Sequence, residues 1–82
     1  MPRKRPAYRK APPSVAFRMA RDRLQMSQDA FGAALGYQGG PRARALAVWR
    51  FETGYRPIPV TVARLARMFE RHGVPPEFNQ SS

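Results

Sequence analysis

Eighty-two residues allow one small domain with too little interior for a deep catalytic cleft, so a binding module is the first expectation. The formal net charge of +10 comes almost wholly from arginine, Lys4 and Lys10 being the only lysines, and it implies an anionic partner, nucleic acid ahead of an acidic membrane surface. The absence of cysteine excludes a disulfide framework or a thiolate metal site, and no apolar run approaches the roughly 18 residues that span a bilayer or follows the basic N-terminus as a signal peptide would, so a cytoplasmic protein is expected.

Residues 1–13, MPRKRPAYRKAPP, hold four prolines and five basic residues without an acid. Such a stretch has too little apolar surface to offset its ordering entropy, so it reads as a basic disordered arm. Arg3, Lys4 and Arg5 are its candidate contacts to a nucleic-acid backbone or groove, the alternative being a solubilising tail. Ser14 is a candidate cap for a first helix, in which Phe17, Ala20 and Leu24 share an apolar face. Arg18, Arg21, Asp22 and Arg23 then lie outside, with Arg18 and Asp22 spaced for an i, i+4 pair.

Ser27 caps a second, short helix with Phe31, Ala34 and Leu35 on one side, Asp29 in the first turn, and Gly36 as its stop. Gly32 inside this helix costs about 1 kcal/mol relative to alanine; a close helix crossing would explain it. Pro41 suits the first position of a third helix, 41–53, stopped by Gly54. On a helical wheel Ala45, Val48 and Phe51 gather on one side, and Arg42, Ala43, Leu46 and Arg50 on the other. Arg44 projects nearer the core side, and Trp49 sits at the flank, where partial burial against the first helix or the Gly39-Gly40 turn is expected. A fourth helix, Val60 to His72, buries Val62, Leu65, Ala66 and Phe69, and turns Arg64, Arg67 and Arg71 outward before Gly73 ends it. Met19, Met26 and Met68 read as core fillers. Residues 74–82 read as a polar, proline-punctuated tail. The chain thus divides into an arm at 1–13, an all-α domain of four or five helices at 14–73, and a tail.

Catalysis lacks parts. His72, the one histidine, falls in the last turn of a helix, and none of the five acids forms an obvious pair with a nucleophile or a ligand cluster, so neither an enzyme, a metal site nor a cofactor is expected. Gly39 and Gly40 lack the Lys-Ser or Lys-Thr of a phosphate-cradling loop and the preceding strand of a dinucleotide loop, and read as a turn between helices.

The stretch MSQDAFGAALG, followed by a basic helix and then RFETGYRPIPVTVARLARMF, resembles the helix-turn-helix domains of the lambda-repressor, Cro and xenobiotic-response-element family, over about Val15 to His72. Gln28, Gly32 and Gly36 stand at the family's spacing. Phe51, Glu52, Gly54, Arg56 and Pro57 are similar to its second signature, with phenylalanine where tryptophan is more usual. Fourteen residues separate Gly36 from Phe51, several more than the family commonly has, so the turn, the helix or both are extended. Counted back from Phe51, Val48 falls on the family's buried valine.

The resemblance implies a four- or five-helix bundle of the lambda-repressor-like type, whose third helix enters the DNA major groove while the start of the second rests on the backbone. Gln28 would then hold a phosphate, Arg42, Arg44 and Arg50 are the candidates for base edges, and Gln38 in the turn could read adenine or touch a phosphate. Arg56 falls near the backbone or pairs with Glu52. A sequence-specific repressor acting as a homodimer on an inverted-repeat operator follows from the family. Val74, Phe78 or the outer side of the fourth helix are candidate dimer surfaces. Relatives of this shape are phage repressors, antitoxin components and regulators of anti-CRISPR operons, and GYRPIPVTV is similar to the last. The alternatives are a sequence-tolerant nucleic-acid binder and a protein-interaction module. No small-molecule ligand is evident.

Overall fold

The computed structural model describes residues 12–78, so Arg3, Lys4, Arg5 and most of the arm lie outside the described residues, as does 79–82. The architecture is all-helical: α1 (Pro13–Leu24), α2 (Gln28–Ala34), α3 (Pro41–Glu52) and α4 (Val60–His72), then a 3-10 turn at Pro76–Phe78, with no strand among the described residues. No described helix is long and apolar enough to cross a membrane.

The first helix starts earlier than its expected cap. Pro13 occupies the first helical position with Pro12 before it, and Ser14 makes no capping bond because it is already inside the helix. A proline loses nothing there, since its missing amide would have had no intrahelical partner. Ser27, by contrast, caps α2 as expected, its hydroxyl accepting from the Ala30 amide at 3.0 Å. Pro41 opens α3, and Thr53 closes it by donating its hydroxyl to the Trp49 carbonyl at 2.9 Å.

The core is aromatic. Phe17 of α1 sits between Phe31 of α2, centroids 5.2 Å apart, and Phe51 of α3, 5.6 Å away and edge-on. Val48, Ala34, Leu35, Ala66 and Phe69 complete it, with Leu24, Met26, Tyr37, Ile58, Val62, Leu65 and Val74 packed around. Met19 and Met68 are not core fillers: they are 40% and 56% exposed. Each lies two residues from a buried position, Phe17 or Ala66, and two helical residues turn a side chain about 200° away.

The tail also differs from expectation. Val74 packs on the core, and Phe78 meets Phe69 edge-on at 5.6 Å, so both candidate dimer residues are engaged within their own chain.

α2 and α3 make the closest crossing, and Gly32 permits it. A Cβ placed on Gly32 would lie 2.7 Å from the Arg44 carbonyl oxygen, so the spacing of these two helices requires the missing side chain. Between them run Leu35 to Gly40, with Gly36 and Gly39 at φ of +95° and +98°, values that side chains disfavour. The fourteen residues before Phe51 therefore divide into four in the turn, 37–40, and ten in the helix, 41–50.

Candidate nucleic-acid interface

The arginines fall into two groups. Four are paired: Arg21 with Glu52, Arg23 with Glu70 (2.9 Å) and Arg44 with Asp29 (2.7 Å) across helices, and Arg18 with Asp22 (3.9 Å) along the exposed side of α1. Arg42, Arg50, Arg56, Arg64, Arg67 and Arg71 form no ion pair among the described residues. Three of the five acids thus brace one helix against another, and the positive charge on the outer faces of α3 and α4 is left available to an anion.

The principal brace centres on Glu52. Its side chain is only 5% exposed and accepts two bonds from Arg21, Nε at 2.5 Å and Nη2 at 3.2 Å, and a third from Gln28 Nε2 at 3.1 Å. The remaining Arg21 nitrogen, Nη1, donates to the Met26 carbonyl at 3.0 Å. One carboxylate thereby ties α1, α2 and α3 together. The Arg21 pKa is raised, first by its hydrogen bond to Glu52 and then by the attraction of Glu52 and Asp22, against an opposing effect of burial.

Two expectations are corrected here. Arg21 does not lie on the outer face of α1; its side chain is 15% exposed. Arg56 does not pair with Glu52, because Arg21 and Gln28 occupy that carboxylate. Gln28, the candidate phosphate contact, donates its side-chain amide to Glu52. The brace had one signal in the sequence: Glu52 is four residues from Val48, on the inward side of a helix otherwise rich in arginine, and a charge facing a core needs a partner.

Arg44 is likewise engaged internally. Its Nε donates to Asp29 and its Nη1 to the Gly39 carbonyl at 2.8 Å, so it fixes the turn against both helices. Its side chain is 16% exposed.

What α3 turns outward is Arg42, Ala43, Leu46, Trp49 and, half-buried, Arg50. Gln38 is exposed in the turn beside this face. Trp49 is 46% exposed, and its ring neighbour is Tyr55, 6.4 Å away. The reason is local: Gly54, at φ +78°, reverses the chain and brings Tyr55 back alongside the last turn of α3.

On the other flank Tyr37 packs against Phe51, 5.9 Å between centroids, and burial raises its phenol above the ordinary 10.0. The unfolded chain therefore releases this proton first as pH rises, and Tyr37 contributes a loss of stability that begins near pH 10 and grows until the folded phenol also ionises. Urea unfolding across that range is expected to show a shallower decline for Tyr37→Phe than for the native chain; parallel declines would refute the assignment.

Among the described residues no group of three His, Asp or Glu side chains is placed to hold a metal ion. No family model, curated protein or solved structure matches this chain.

Proposed function

We propose that this is a cytoplasmic helix-turn-helix regulator of the lambda-repressor and Cro type, a repressor that binds an inverted-repeat operator as a homodimer with α3 in the major groove. The observation that carries the reading is the division of labour on α3. Its inward side is locked to α2 and α1 by Arg44 and Glu52, while Arg42 and Arg50 face outward without acidic partners. A rigid helix with free guanidinium groups suits bidentate recognition of guanine edges. In this reading Arg42 and Arg50 read bases, Gln38 and Arg56 meet the backbone beside them, and Arg3, Lys4 and Arg5 add backbone contacts. Gln28 and Arg44 serve mainly to hold the reading helix.

Competition binding tests it: one inverted-repeat duplex is expected to be preferred over random duplex by about 10³-fold or more at physiological salt. Equal affinity for both would sink the reading. Within it, Arg42→Ala or Arg50→Ala is expected to cost about 1 to 3 kcal/mol, concentrated at one base position, whereas deleting residues 1–11 weakens all sequences and flattens the salt dependence. Operator selection with each variant measures the difference; an unchanged preference in the Arg42→Ala, Arg50→Ala double variant would move the reading helix elsewhere.

The exposed Trp49 and Tyr55 favour one second reading, a sequence-tolerant binder that stacks unpaired bases on these rings. Tighter binding to single strands than to any duplex, lost in Trp49→Ala, would select it.

A further inference from the structure

We propose that the hollow between α3 and the loop after it binds a small molecule carrying a phosphate or carboxylate on a flat apolar body, and that this ligand competes with DNA for Arg50. The competition rests on the DNA-binding reading above; the site itself does not.

The hollow has a volume of about 380 Å³, within the roughly 300–1,000 Å³ of small-molecule sites. Tyr37, Phe51, Pro57 and Pro59 supply apolar and ring surface, and Arg50 and Arg56 supply the charge. No acid lines it, and neither arginine has an ion pair among the described residues. The Arg56 amide donates to the Arg50 carbonyl at 3.1 Å, which fixes the backbones of the two residues against each other. Two guanidinium groups lining one hollow supply the donors that an oxyanion accepts from.

The frame is preformed. Thr53 bonds the last carbonyls of α3, the prolines fix their own φ angles, and Tyr37 is anchored on Phe51. A ligand therefore meets a shaped surface with little ordering to impose. Its apolar body would lie on the ring and proline walls while its anion engages Arg50 and Arg56. Arg50 also belongs to the outward side of α3, so an occupied hollow and bound DNA draw on the same guanidinium.

A phosphate of the DNA backbone carries the same chemistry, and the test separates the two. The 15N-labelled full chain is titrated with phenyl phosphate, with sodium chloride at matched ionic strength, and with operator duplex. Saturable shifts of the Tyr37, Ala47 and Arg56 amides with phenyl phosphate, about tenfold or more weaker in Arg56→Ala, together with release of bound duplex, are expected. Shifts that follow ionic strength alone overturn the proposal. So does a response of these amides to duplex but not to phenyl phosphate, which would make the hollow a backbone-phosphate contact. Saturable phenyl phosphate binding by a chain that binds no duplex at low salt would uphold the ligand site and remove both the competition and the DNA-binding reading.

Discussion

Glu52→Ala is expected to destabilise the domain by about 3 to 5 kcal/mol, the range for removing one partner of a buried ion pair. The Glu52 side chain is 5% exposed and takes three hydrogen bonds. Its loss leaves the Arg21 guanidinium, itself 15% exposed, with the Met26 carbonyl and, at 3.9 Å, the exposed Asp22 carboxylate as its remaining partners. A core of this size rarely supplies more than about 3 to 5 kcal/mol in total, so the variant should be largely unfolded at room temperature. Circular dichroism and urea unfolding check this. Glu52→Gln keeps the shape and one acceptor but not the charge, and should fall between native and Glu52→Ala. A Glu52→Ala protein within about 1 kcal/mol of native would mean that the pair contributes no more than an exposed one.

Gly32→Val is expected to cost about 3 kcal/mol or more, and Gly32→Ala less. Even alanine's Cβ would sit 2.7 Å from the Arg44 carbonyl oxygen and 3.1 Å from its carbonyl carbon. Those are backbone atoms of α3, so relief requires α3 to move as a unit. Overpacking of this kind costs about 1 to 3 kcal/mol, from which alanine recovers about 1 kcal/mol in helix propensity. Valine recovers little of this and adds two methyl groups at the same crossing. On the DNA-binding reading proposed above, because the obstacle is α3 itself, Gly32→Ala should impair duplex binding under conditions where the domain is still folded, a dissociation that a paired binding and melting series detects. Stabilisation by Gly32→Ala would show that the crossing is looser than the structure indicates.

Much of the scaffold is legible from local chemistry. The 3.6-residue spacing of Phe31, Ala34 and Leu35, and of Val62, Ala66 and Phe69, marks the buried faces of α2 and α4, and Pro41 and Gly73 mark helix ends, because these signals depend only on neighbours along the chain. The start of α1 was misplaced by the same logic: Ser14 competed with Pro13, and either can open a helix. Met19 and Met68 are exposed although their residue type suggests core, because two residues along a helix turn each away from Phe17 or Ala66.

The candidate site was harder to read. The sequence by itself determined the four helices, the +10 charge, the glycine required at a close crossing and the basic outer face of α3. It could not say which arginine pairs with which acid, since thirty-one positions separate Arg21 from Glu52 and fifteen separate Arg44 from Asp29. Only the tertiary structure decided that, by bringing α1, α2 and α3 within hydrogen-bond reach. The physical reason is that ion pairing depends on distance in space and on burial, whereas helix formation is written in residues three and four apart. Once Arg21 and Arg44 are drawn inward to Glu52 and Asp29, Arg42, Arg50 and Arg56 stand without an ion pair on and beside α3, as Arg64, Arg67 and Arg71 do on α4, among the described residues.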